Sequence, residues 1–162
     1  MAVVYGNRGE VVRSLEIARR CLELAERNQN REMLEAFQYL LAMGAYDSGD
    51  LLLASSQLSA LMKSLGAAQL RAAVELLPTN PWATAPRQLA RVQLALGKPD
   101  EDLRLSNEAL SRARQLKQPA TLASVIQLAG EVRAYRREPQ ATRELAEATI
   151  ALGEEHLFQE RC

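Results

Sequence analysis

Apolar residues return every three or four positions in blocks of helix length, and short polar turns, most carrying glycine or proline, separate the blocks. Over residues 11–27, Val11, Leu15, Ala18, Cys21, Leu22 and Ala25 fall near the 3.6-residue period. Arg13, Glu16, Arg19, Arg20, Glu23 and Arg27 take the other positions, which predicts an amphipathic helix. A second helix is predicted from about Arg31 to Asp47, with Met33, Leu34, Phe37, Leu40, Leu41 and Gly44 on its apolar stripe. A third runs from Leu51 to about Leu65, with Leu52, Leu58, Leu61 and Met62 apolar and Gly66 as its C-cap. Residues 67–77 read as an inserted helical segment, ended by the stretch from Pro78 to Pro81.

The next helix begins between Asn80 and Thr84. Asn80 is suited to cap it and Pro81 to open its first turn, while Pro86 stands where it would delay or kink the start. Further helices are predicted from about Glu101 to Leu116, from about Ala120 to Tyr135, and from Pro139 to about Leu152 with Gly153 as cap. Glu154 to Cys162 reads as a tail or as the first turn of another helix.

The turns inside successive helix pairs fall at residues 9, 49, 97 and 137, a spacing of 40, 48 and 40. One amphipathic pair cannot cover its own apolar face and must lean on the next, so this spacing predicts an all-α solenoid. The pairs span about 1–30, 31–66, 80–118 and 119–153 of a single domain, with the insertion at 67–77. Residues 1 to 8 supply only the end of a first helix, which makes that pair look truncated.

Composition agrees. Alanine and leucine dominate an apolar share of 48%, and aromatics are only 4%. The 20 basic and 20 acidic residues cancel and are interspersed, which argues against a broad nucleic-acid surface. Seventeen of the basic residues are arginine, suited to planar ion pairs on helix faces. There is no signal-peptide pattern and no run of membrane-span length, so the chain reads as soluble and cytoplasmic.

Candidate chemistry is sparse. His156 is the only histidine, and Cys21 and Cys162 have neither metal nor disulfide spacing. Cys21 reads as a buried packing thiol. The run Asp100, Glu101 and Asp102 reads as carboxylates favoured at a helix start, and Trp82 as a packing side chain. Neither a phosphate-binding glycine loop nor a convergent catalytic set is found, so the expectation is a non-enzyme without cofactor or metal.

Small residues at Cys21, Ala42, Ala54, Ala109 and Gly130, with the Gly-Asp-like turns, make the pairs resemble tetratricopeptide repeats. Asp102 and Thr142 depart from that pattern at positions of packed alanine, and the usual early aromatic is missing from each first helix. The segments from Leu94 to Asp100 and from Tyr135 to Gln140 further resemble the repeat region of large bacterial multidomain ATPase regulators related to adenylate cyclases and maltose-regulator-type activators. In that family the repeats sense or scaffold and do not perform the nucleotide chemistry. The resemblance implies a right-handed α-solenoid of about four pairs, present here as a fragment or a shortened standalone relative.

Mapped onto this chain, the repeat pattern turns a set of first-helix residues toward a concave groove. They are Tyr39, Met43, Tyr46, Asp47, Arg87, Arg91, Gln127, Glu131 and Tyr135. Tyrosine and arginine are common anchors at interfaces, and Arg87 with Arg91, four residues apart, would suit an acidic peptide. The asparagine-and-lysine clamp of chaperone-binding relatives is unmatched, since Leu40, Gln88 and Leu128 hold those positions. The expected partner is therefore a protein or peptide segment, with no direct nucleic-acid or membrane contact. Two alternatives stay open: a self-association module forming a homodimer, and a small-molecule-sensing repeat region.

Overall fold

The computed structural model describes residues 8–64 and 79–157. Within them seven helices follow one another and no strand occurs: α1 (Val11–Arg27), α2 (Arg31–Asp47), α3 (Leu51–Ser64), α4 (Pro81–Ala95), α5 (Pro99–Leu116), α6 (Pro119–Tyr135) and α7 (Pro139–Leu157). The inserted segment at 67–77, the Gly66 cap, Cys162 and the start of the first pair lie outside the described residues.

Helix ends follow from local chemistry. The Asn30 side chain accepts from the Met33 amide at 3.1 Å and the Asp50 side chain from the Leu53 amide at 3.0 Å, each supplying an acceptor to an orphan first-turn donor. The helices from α4 onward each open on a proline, where the missing N–H has no partner to lose. At the far ends of α2 and α4, Gly49 and Gly97 take φ of +84° and +76°. This lets the Gly49 amide bond back to the Tyr46 carbonyl and the Asp50 amide to the Ala45 carbonyl, a Schellman closure. The turns after α1 and α6 make the same two bonds on Gln29 and Arg137, at φ of +50° and +59°.

Two boundaries differ from expectation. Gly153 does not cap α7: the helix runs through it to Leu157, so residues 154–157 continue the same element. Helix propagation past glycine costs only about 1 kcal/mol, which continued backbone bonding can offset. Pro86 neither delays nor displaces α4, which begins at Pro81 with the Asn80 side chain accepting from the Trp82 amide at 3.0 Å.

Each helix packs on its neighbours along the chain, and contacts also join α2 to α4 and α4 to α6. The first helices of the described pairs, α2, α4 and α6, thus line up in one layer, each backed by the second helix of its pair, an all-α helical-repeat solenoid. Its core is built largely from alanine and leucine, including Ala42, Ala45, Ala54, Leu58, Leu61, Ala90 and Leu105. Small residues set the helix spacing. A Cβ on Gly44 would meet the Leu15 side chain at 2.8 Å, so glycine permits the close approach of α1 to α2. Leu52, expected on the apolar stripe of α3, is exposed, and Cys21, expected to be buried, is only half-buried.

Polar ties hold the helices in register, within the first-helix layer and between the layers. The Asn80 amide bonds to Thr121 Oγ1 at 3.2 Å, linking the starts of α4 and α6. Pro86 deprives the Trp82 carbonyl of its ordinary helical donor, and Arg112 of α5 replaces it at 2.9 Å while lying over the indole ring. Asp102, read from its position as a helix-start carboxylate, is fully buried and pairs with Arg136 at 3.4 Å. Burial raises its pKa above the ordinary value, against the opposing pull of Arg136, the Leu103 amide and Arg133.

Candidate interaction groove

The face where α2, α4 and α6 meet holds a cavity of about 390 Å³, lined by Tyr46, Arg91, Leu94, Ala95, Glu131, Val132 and Tyr135. Helical spacing explains who is present. Arg91, Leu94 and Ala95 are three and four residues apart on the last turns of α4, and Glu131 and Tyr135 are four apart on α6. Tyr46 closes the third side from the end of α2.

Arg91 organises the cavity. Its guanidinium carbon lies 4.6 Å from the centroid of the Tyr46 ring, within the range of a cation–π contact. Its Nε stands 3.9 Å from Glu131 Oε2, an ion pair too long for a hydrogen bond. Asp47 is within its field as well: desolvation raises the Asp47 pKa and the charge of Arg91 opposes that rise. Leu94, Ala95 and Val132 give the cavity an apolar part, and Tyr135 is 76% exposed at its edge.

Four of the nine residues expected in the groove, Tyr46, Arg91, Glu131 and Tyr135, therefore come together around one space, with Asp47 beside them. The others do not join them. Tyr39 is buried in the hydrophobic core and Met43 packs against that core, because neighbouring side chains cover this part of α2. Gln127 is exposed away from the cavity lining. Arg87 is spent on structure: its Nη1 donates to the Ser124 carbonyl at 2.8 Å and to Ser124 Oγ at 2.7 Å, tying α4 to α6. The expected pairing of Arg87 with Arg91 as one grip is corrected accordingly. Leu94, Ala95 and Val132 complete the lining beyond the expected set, and the spacing of the first two from Arg91 is the signal that puts them on the same stripe of α4.

The titratable groups lining the cavity are one arginine, one glutamate and two tyrosines, and no group of His, Cys, Asp and Glu able to hold a metal ion occurs among the described residues. No described helix is long and apolar enough to cross a membrane. The arrangement offers a ring face, a carboxylate with free accepting capacity and an apolar wall, which are means of recognition.

No family model and no curated protein sequence matches the chain. Solved structures do resemble it. Two crystal structures of a Podosopora anserina protein, described as a candidate kinesin light chain with nearly identical TPR-like repeats, superpose with TM-scores of 0.68 and 0.67. Identity is 19% and 17%, over 96% of this chain and 73% and 72% of theirs. BtubC (BKLC) from P. vanneervenii gives 0.70 at 21% identity, over 95% of this chain and 60% of its own. Likeness at these identities is likeness of fold, and it identifies the solenoid as TPR-like.

Proposed function

We propose that this chain is a non-enzymatic interaction module that seats a peptide or protein segment on the face formed by α2, α4 and α6. The observation that carries this is the convergence of Tyr46, Arg91, Glu131 and Tyr135 from three helices on one cavity of about 390 Å³. That volume suits a large side chain or two, and exposed tyrosine at the edge of an apolar space is a common anchor. Binding is by shape and anchor contacts, with no covalent step.

Selection from a library of random 12-residue peptides displayed on phage tests it. Enriched peptides should bind the full chain and bind Tyr135→Ala about tenfold more weakly, a typical anchor loss of roughly 1.4 kcal/mol. Equal affinity for both proteins, or no enrichment, removes the assignment.

The likeness of the segments from Leu94 to Asp100 and from Tyr135 to Gln140 to bacterial ATPase regulators supports a module working inside a larger regulator. An immunoblot of source-cell extract should then give a band far above 17.9 kDa, and a band at that mass returns the chain to a standalone adaptor.

A further inference from the structure

Charge is unevenly distributed around the cavity. Arg91 is its cation, and one flat side of that guanidinium already lies on Tyr46. Two carboxylates attend it: Glu131 at 3.9 Å, and Asp47, whose acidity responds to Arg91. The Glu131 side chain is 40% exposed and its ion pair is longer than a hydrogen bond, so its oxygens remain able to accept from an incoming donor. Arg87, one turn earlier on α4, is turned to Ser124 and does not line the cavity.

We propose that the cavity receives a basic side chain, arginine or lysine, from the partner segment. Its aliphatic stem lies along Leu94, Ala95 and Val132, its charged end meets Glu131, and the exposed Tyr135 ring covers one side. An acidic side chain would approach Glu131 and Asp47 before an arginine that is already stacked and compensated, and such like-charge contact is what interfaces use to reject partners. This rests on the peptide-binding reading of the same face and specifies the partner's chemistry.

The random 12-residue phage library separates the two ideas when it is selected on the wild-type chain and on Glu131→Arg. Wild type should enrich arginine or lysine at one position, and Glu131→Arg should lose that preference. A peptide from the wild-type selection should bind Glu131→Gln about fivefold more weakly, the upper range for a solvent-accessible ion pair. Glu131→Gln keeps the side-chain size at a half-exposed position, so the test stands even if the reversal variant fails to fold. Enrichment of aspartate or glutamate, or an unchanged affinity for Glu131→Gln, overturns the basic-side-chain proposal and leaves peptide binding in place. No enrichment on wild type removes both.

Discussion

Arg112 and Arg91 are assembled from the same parts, a guanidinium over an aromatic ring with a glutamate at its edge, and they end in different situations. Arg112 lies 5.2 Å from the Trp82 ring centroid, donates to Glu108 and to the Trp82 carbonyl, and is 18% exposed. All its partners belong to α4 and α5, a single helix pair. Arg91 bridges three helices, reaches its glutamate only at 3.9 Å, and is 30% exposed beside open space. The difference lies in how many donors the fold itself occupies. An arginine whose donors close on its own scaffold stabilises that scaffold, whereas one left with room beside it can shape a surface for something else.

The largest expected effect comes from Arg112→Ala, which should lower stability by about 2 kcal/mol in urea denaturation, because a backbone acceptor and a ring face lose their partner. A loss below about 0.5 kcal/mol would mean that Arg112 is no more structural than Arg91. The same substitution made with Pro86→Ala should cost about half as much, since alanine restores an N–H for the Trp82 carbonyl; strictly additive losses would break that link. Arg91→Ala should cost less than about 1 kcal/mol in the same assay, as a solvent-accessible pair does. Losses of equal size for the two arginines would erase the contrast.

The smallest effect is also the most local. Arg91→Ala should move the Asp47 carboxyl titration further upward in an NMR experiment, and Arg112→Ala should leave it in place. Asp47 already titrates above the ordinary 3.8, so the folded state holds its proton more tightly than the unfolded chain. Its favourable contribution is full below 3.8 and is lost as pH rises through the folded-state value. Without Arg91 that loss should still begin near 3.8 and should extend to higher pH before it is complete.

Much of the architecture could be read from residue spacing because its devices are local. Glycine at 9, 49 and 97 announces positive φ, and Asn80 before Pro81 announces a helix start. Gln29 takes the same left-handed conformation with no such announcement, since a closure made by backbone bonds can hold a residue that does not prefer it. The candidate groove was half legible for a related reason. Spacing places Tyr39 and Tyr46 two turns apart on one stripe of α2, yet it does not say how deeply other helices cover each one. Nor can it reveal that Ser124, 37 residues away, captures Arg87. Asp102 makes the same point, since its partner Arg136 comes from the end of α6.

The contact between Arg112 and the Trp82 carbonyl bears on how the protein is assembled. A proline inside α4 leaves the helix with a vacancy in its own ladder of bonds, and the group that fills it belongs to the helix that follows. Formed alone, α4 would be missing a rung; formed with α5, it is whole. One backbone oxygen thereby couples the stability of α4 to the presence of α5 by about 1 kcal/mol, in addition to the apolar surface between them.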